Sequence, residues 1–158
     1  MSGDVDSGVC LIEQALLFNP YSARAHYVSG WLRIFLGKPD LAIENLVRAL
    51  RLSPSDPLAF KVSAALSYAH LFAGRYDQAS KAAEAALRVR PDYLTALRAA
   101  TAAKVLSGRT DEARRLMTRM QQLNPRMRLC HLADLLPLRR RQDFARWSEA
   151  LSKAGLPE

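Results

Sequence analysis

The sequence has little glycine, few cysteines and no long apolar run. Its seven glycines are scattered through 158 residues and never form a G-x-G cluster, so no glycine-rich loop is expected to bind a phosphate. Cys10 and Cys130 are too few for a disulfide framework and are expected to be reduced thiols. No apolar run approaches the roughly 18 residues of a membrane span. The acidic N-terminus lacks the apolar stretch of a signal peptide, so we expect a cytoplasmic location.

Motifs of catalysis and of metal binding are also missing. The sequence contains no H-E-x-x-H, C-x-x-C or G-x-S-x-G pattern and no Walker loop. His26, His70 and His131 are widely spaced, and the adjacent Cys130 lacks the second pair of ligands that a zinc site needs. We therefore expect no enzymatic activity, no metal and no cofactor in this chain.

Charge is distributed unevenly along a chain of otherwise ordinary globular composition, with 49% hydrophobic and 24% charged residues. Residues 1–79 hold 7 basic and 7 acidic side chains, whereas residues 80–158 hold 16 and 8. The whole net charge of +8 therefore lies in the C-terminal half, which suggests an acidic partner for that end.

An internal repeat organises most of the chain. Prolines recur at intervals of 34, 37 and 34 residues, and the last three are preceded at fixed distances by an alanine and a glycine. The positions in phase are Pro20, Pro54, Pro91 and Pro125, then Ala42, Ala79 and Ala113, then Gly37, Gly74 and Gly108.

Each repeat predicts two helices joined by a glycine turn. The first helices are expected over 23–36, 57–73 and 93–107, and the second over 39–52, 76–89 and 110–123. Glycine suits the left-handed residue that follows a helix because it has no Cβ. Asp40, Asp77 and Asp111 fall in the first turn of each second helix, where a carboxylate meets free N–H groups. Pro57 is expected to begin the next helix.

A helix–turn–helix unit of about 34 residues resembles the tetratricopeptide repeat. The first unit keeps small or apolar residues at the family positions, the second has Ser67 in place of a glycine and a linker three residues longer, and the third has methionines at larger positions. The matching residues are Gly30, Ala42, Leu46, Ala49, Pro54, Ala79, Ala86, Pro91, Ala113, Met117, Met120 and Pro125. The resemblance implies an all-α, right-handed solenoid.

The two ends depart from the repeat. We expect one domain over 1–158, with a half repeat at 8–22, repeats at 23–56, 60–93 and 94–127, and a C-terminal cap at 128–158. In the cap, Phe144, Trp147 and Leu151 give an amphipathic helix that would cover the last repeat. The half repeat would expose Ile12, Leu16 and Phe18, which predicts that the chain comes from a longer protein or dimerises through this face.

The tetratricopeptide resemblance also implies a binding surface, since the first helix of each unit lines a concave groove in that family. The positions that carry over are Arg24, Tyr27, Trp31, Ile34, Lys61, Tyr68, Leu71 and Arg98. Aromatic side chains beside cations are typical of peptide-binding surfaces, although Trp31 and Tyr68 could equally pack between helices. Asparagine is absent from the positions that clamp a chaperone's terminal carboxylate in that family.

A second candidate surface is the basic patch, defined as Arg126, Arg128, Arg139, Arg140, Arg141 and Arg146. Such a patch could bind nucleic acid or another anionic surface, with an affinity that falls as salt rises. Few aromatic residues accompany it and no nucleic-acid motif is present, so a solvated face is the alternative interpretation.

A narrower resemblance comes from short phrases, including residues 42–46, 51–57 and 151–158. They are similar to the C-terminal repeat regions of alphaproteobacterial class III adenylate cyclases and of winged-helix regulators. The resemblance implies a regulatory module that follows a catalytic or DNA-binding domain. From the sequence we therefore expect a protein-interaction module whose partner is a peptide, another protein or an upstream domain of the same parent.

Overall fold

The computed structural model describes residues 2–158, which form helices and contain no β-strand. Nine α-helices and one short 3-10 turn, Leu129–His131, follow one another along the chain. The helices are α1 (Ser2–Phe18), α2 (Ala23–Phe35), α3 (Pro39–Leu52), α4 (Ala59–Phe72), α5 (Tyr76–Val89), α6 (Leu94–Leu106), α7 (Thr110–Leu123), α8 (Leu132–Leu135) and α9 (Arg141–Lys153). None of the helices in this part of the chain is both long and apolar enough to cross a bilayer.

The second helix of each repeat has the bounds that the sequence predicts. Each begins two residues after a glycine, and Gly37, Gly74 and Gly108 have φ angles of 70°, 76° and 81°. A side chain would be strained at these left-handed positions, so glycine ends the preceding helix. The turn is also closed by backbone hydrogen bonds, such as Lys38 N to Arg33 O at 2.8 Å.

The linker between the first two repeats differs from its prediction. Pro57 does not begin the helix; α4 starts two residues later, at Ala59. The reason is local, because the Asp56 carboxylate accepts a 2.7 Å hydrogen bond from Leu58 N and holds residues 56–58 in a turn. The longer linker therefore stays outside the helix.

The repeat helices form two layers. Helices α2, α4 and α6 pack side by side in one layer, and α3, α5 and α7 each pack against them in the other. Small residues allow this close approach, since Ala42, Ala79 and Ala113 are fully buried at the same repeat position. Gly30 of α2 lies directly against Leu46 of α3. The sequence thus places its smallest side chains where two helices meet.

Helix α1 extends the stack at the N-terminal end. It spans 17 residues, more than the predicted half repeat, and packs against α2. Ile12 and Leu16 are half-buried there, whereas Leu17 and Phe18 are 84% and 92% exposed. The exposed apolar side chains are thus partly different from those expected.

The C-terminal segment, defined here as residues 127–158, covers more than the last repeat. Helix α9 packs on α6, and its Trp147 contacts Tyr68 of α4. Just before α9, Arg139 N donates a 2.8 Å hydrogen bond to the Phe35 carbonyl at the end of α2. The segment therefore crosses the layer of first helices, from α6 back to α2.

Candidate functional site

The inner face of the molecule is formed by α2, α4 and α6, the helices that were expected to line a groove. Its residues divide into two groups along these helices. The apolar half comprises Trp31, Ile34, Tyr68 and Leu71, and the open half comprises Arg24, Tyr27, Lys61 and Arg98. The two halves have different surroundings.

Aromatic rings form a continuous stack in the apolar half. The Trp31 ring lies 5.6 Å from Tyr68 and 5.7 Å from Phe35, measured between ring centroids. Trp147 of α9 meets Tyr68 edge-on at 5.9 Å and also contacts Phe144. Edge-to-face and offset rings attract beyond their buried area, so α9 completes the stack begun by the repeats.

Burial by α9 decides what this half can contact. Ile34, Tyr68 and Leu71 are at most 1% exposed, and Trp31 is half-buried. Burial raises the pKa of the Tyr68 hydroxyl, against a weaker opposing effect of Arg98. Ile34, Tyr68 and Leu71 are core residues in this conformation, and Tyr68 is covered by Trp147 of α9.

The open half borders a cavity where α2 and α4 begin beside the end of α3. The cavity has a volume of about 380 Å³ and is lined largely by apolar atoms. Arg24, Tyr27 and Lys61 line it together with Leu58 of the longer linker. Arg24 is exposed, while Tyr27 and Lys61 are half-buried. An apolar hollow bordered by two cations and a phenol can accommodate an apolar side chain next to a carboxylate.

Arg98 lies further along the open half and is restrained by the C-terminal segment. Its guanidinium donates to Thr95 Oγ1 at 3.4 Å and lies 3.9 Å from the sulfur of buried Met127. Its Nε is buried without a hydrogen-bond partner. Arg98 is therefore a partly covered cation rather than a free one.

The basic patch is divided by the fold. Arg139 forms a 2.8 Å ion pair with Asp6 of α1, and Arg140 lies 3.6 Å from the Asp143 carboxylate. Arg128 instead donates to the carbonyl oxygens of Pro125 and Met127, beyond the end of α7. Of the remaining members, Arg126 and Arg141 are exposed and Arg146 is half-buried. Arg128, Arg139 and Arg140 thus make intramolecular contacts at different places, and anion binding by the patch stays a prediction.

The histidines and cysteines serve no shared site in the described part of the chain. His26 is buried, with Nδ1 3.0 Å from Asn45 Oδ1 and Nε2 3.0 Å from the Pro20 carbonyl oxygen, so it joins the α1–α2 loop to α3. Cys10 and Cys130 are both exposed free thiols. Among the side chains of residues 5–158, no three metal-ligating groups come together.

Sequence analysis missed two features of this surface. Asp143 was not singled out, yet its carboxylate is 1% exposed and accepts no hydrogen bond from the protein. Met127 and Leu132 are also buried beside the inner face. The apolar spacing of Phe144, Trp147 and Leu151 predicted that one face of this helix is buried, but it did not indicate which surface covers that face.

Comparison with protein-family models gives two matches, at residues 23–56 and 61–93, to the family described as tetratricopeptide repeat. Both matched segments are similar to the tetratricopeptide repeat. They coincide with the first two helix pairs, and the third pair continues the same stacking. A search of curated proteins finds no match.

Solved structures of tetratricopeptide-like shape agree with this fold. A MamA structure from MSR-1 is 28% identical, with a TM-score of 0.65, over 79% of this chain and 70% of its own. Another MamA structure has a TM-score of 0.70 at 17% identity, over 97% and 90% of the two chains. PilW, named as a widely conserved type IV pilus biogenesis factor, has a TM-score of 0.70 at 20% identity, over 91% and 67%. The solenoid fold expected from the sequence is thereby confirmed.

The narrower resemblance to adenylate cyclases and winged-helix regulators receives no support from these relatives. The family match lies within the first two repeats, and the similar solved structures are MamA and PilW. The phrases that suggested the resemblance lie at repeat positions or at the C-terminal end of α9. Tetratricopeptide repeats of other proteins can therefore share them.

Proposed function

We propose that this chain is a protein-interaction module that binds a peptide segment of a partner at the open half of the inner face. The observation that carries the proposal is the cavity of about 380 Å³ between α2, α3 and α4, which remains accessible while α9 covers the neighbouring surface. Tyr27 supplies an aromatic wall, and Arg24 and Lys61 supply positive charge. The expected ligand is a segment that places an apolar side chain beside an aspartate or glutamate.

Peptide selection tests this proposal directly. Peptides selected from a random displayed library against the full chain should be enriched in acidic residues that flank an apolar one. Tyr27→Ala should weaken their binding at least tenfold, because aromatic anchors in pockets dominate such interfaces. Lys61→Ala should weaken binding less and should reduce its salt dependence.

Arg88→Ala is the matched control, since Arg88 is an exposed cation on α5, outside the inner face. Selected peptides that bind the Tyr27→Ala, Lys61→Ala and Arg88→Ala chains equally well would contradict the assignment of the open half. Circular dichroism of each variant ensures that the comparison concerns folded protein.

The regulatory context is a separate proposal. A link to an upstream cyclase or DNA-binding domain rests on the short phrases alone, and the mass of the native gene product tests it. A product several times heavier than 17.6 kDa with upstream cyclase peptides would support the link. A product of 17.6 kDa would contradict it and leave the binding proposal unchanged.

A further inference from the structure

The C-terminal segment fills the apolar half of the inner face as a ligand would. Trp147, Ala150 and Leu151 on one side of α9 are at most 1% exposed, and the Trp147 ring packs against Tyr68. This helix of 13 residues packs along α6 and reaches α4 through Trp147. The apolar half is thus shaped to accept an amphipathic helix with an aromatic anchor.

The segment has the organisation of a unit that could move as one piece. Leu129 N donates to the Pro157 carbonyl at 2.9 Å, so the start and the end of the segment are joined to each other. Its polar attachments to the rest of the chain lie before and after α9: Gln121 Nε2 donates to the Gly155 carbonyl at 3.1 Å, and Arg139 N donates to the Phe35 carbonyl at 2.8 Å. The repeats, in contrast, are held to one another along whole helices.

Polar groups at this contact oppose its formation. Both oxygens of the Asp143 carboxylate, Trp147 Nε1 and the Tyr68 hydroxyl are buried without a hydrogen-bond partner. Each would recover hydrogen bonds to water if the segment detached, because burying an unpaired polar group costs free energy. These unpaired groups therefore lower the stability of the contact between the C-terminal segment and the repeats.

We propose that the C-terminal segment is a displaceable internal ligand, and that the surface beneath it binds an amphipathic helix of a partner with the same chemistry. That helix presents aromatic side chains at positions i and i+3 and a leucine at i+7, as Phe144, Trp147 and Leu151 do. The partner must compete with the internal segment, so its apparent affinity is reduced by the fraction of molecules in which the segment is bound. The inference adds a second binding surface to the proposed function. It requires that a helix binds at the apolar half of the inner face, and it does not depend on the cavity of the open half.

The probe is a fluorescent peptide of residues 138–158, titrated into the full chain. We expect weak binding to the wild-type chain and at least tenfold tighter binding to the Trp147→Ala chain, because that substitution weakens the internal competitor and leaves the receiving surface intact. The same peptide carrying Trp147→Ala should bind neither chain. Equal affinity for both chains, or no binding to either, would overturn the proposal.

Asp143→Asn keeps the test decisive if the Trp147→Ala chain fails to fold. This variant should hold the segment more firmly, so the peptide should bind the Asp143→Asn chain more weakly than wild type, by about threefold or more. In hydrogen exchange, amides of α9 should exchange at least tenfold faster than those of α4 in the wild-type chain. Equal protection of α9 and α4 would show that the segment opens only when the whole molecule unfolds, and would overturn the proposal.

Failure here is distinguishable from failure of the proposed function. Tyr27 borders the cavity of the open half and should not affect the peptide of residues 138–158. A chain whose selected peptides depend on Tyr27, but which never binds the α9 peptide, would retain the first surface and lose the second.

Discussion

Asp143 shows how one buried carboxylate can set the pH dependence of the fold. Burial raises its pKa, against the opposing effects of the Arg140 and Arg146 guanidinium groups. A raised pKa in the folded state means that ionisation of Asp143 destabilises the fold. The penalty grows as pH rises above the ordinary aspartate value and is complete above the folded value.

Asp143→Asn should therefore stabilise the protein at neutral pH. We expect the free energy of unfolding at pH 7 to rise by about 1 kcal/mol, because the amide buries no charge. At about pH 3, where the carboxyl group is largely protonated in both states, the difference should disappear. Urea unfolding at the two pH values measures this. Asp134→Asn removes an exposed carboxylate of α8 and is the control, so its free energy of unfolding should change little at either pH. A lower free energy of unfolding for Asp143→Asn than for wild type at pH 7 would refute the argument.

Lys104 is a residue whose burial is compensated. It is 6% exposed, and its ammonium contacts Glu84 at 3.0 Å and Glu112 at 2.8 Å. Desolvation alone would lower its pKa, but hydrogen bonds to Glu112 and Glu84 outweigh it and raise the pKa. Lys104 therefore stays charged where α6 meets α5 and α7, unlike Asp143, which has no hydrogen-bonding partner.

At the scale of the element, the contact between α2 and α3 depends on a missing side chain. A Cβ at Gly30 would lie 2.5 Å from Leu46 Cγ, and Leu46 is fully buried. Gly30→Ala should therefore force the two helices apart and lower the free energy of unfolding by about 2 kcal/mol, although alanine is the better helix former.

Gly8→Ala in α1 is the matched control for this prediction. Its Cβ would lie 3.4 Å from the flexible end of Leu32, an ordinary contact, so the gain in helix propensity should dominate. We expect it to raise the free energy of unfolding by about 0.5 kcal/mol in the same urea titration. If the two alanine variants had equal free energies of unfolding, the close contact between Gly30 and Leu46 would not determine the stability of this helix pair.

Sequence patterns predicted the repeat helices well because their ends are determined locally. Gly37, Gly74 and Gly108 act within one turn of the chain, so α3, α5 and α7 begin and end as expected. The expected capping by aspartates was wrong, because these helices have no side-chain cap and Asp40 and Asp77 instead pair with arginines of the next repeat. The linker was mispredicted at Pro57, where the Asp56 side chain held a turn that competes with the helix.

The candidate site was less predictable than the helices. The groove positions taken from the tetratricopeptide family stay a prediction of a binding surface, and they gave no indication that Ile34, Tyr68 and Leu71 are buried. Amphipathic spacing shows that one side of α9 is buried, whereas the surface that buries it depends on the path of residues 136–140. Arg139 N pairs with Phe35 O, more than 100 residues away, which no local pattern reports.

Ion pairs between successive repeats are a periodic feature of the elements. Arg75 contacts Asp40 at 2.8 Å, and Arg109 contacts Asp77 at 3.1 Å, each joining the start of one second helix to the start of the next. Both pairs are exposed and contribute little to stability. They recur at equivalent repeat positions, so they favour one alignment of neighbouring repeats over others.

At the scale of the whole molecule, the N-terminal end offers an apolar surface that could join two copies. Leu11, Leu17, Phe18 and Tyr21 are between 67% and 92% exposed. Leu11 and Phe18 lie seven residues apart, on one face of α1. We expect the chain to dimerise through this surface, as the sequence also predicted.

Light scattering over a range of concentrations measures this association. The wild-type chain should move from 17.6 kDa toward twice that mass, and a chain with Leu11→Ser and Phe18→Ser should remain monomeric. Val89→Ser, an exposed apolar residue at the end of α5, is the control and should dimerise as wild type does. A wild-type chain that stays at 17.6 kDa at high concentration would contradict the expectation.

The bridge from Arg139 to Asp6 and Phe35 changes how the array should unfold. Contacts in a repeat array are mostly between neighbours, so such arrays can lose their repeats one at a time from an end. Here residues separated by more than 100 positions join the first helix layer to the last segment. Release of the C-terminal segment must therefore also break contacts made by α1 and α2, so we expect α1 to loosen when the segment is displaced.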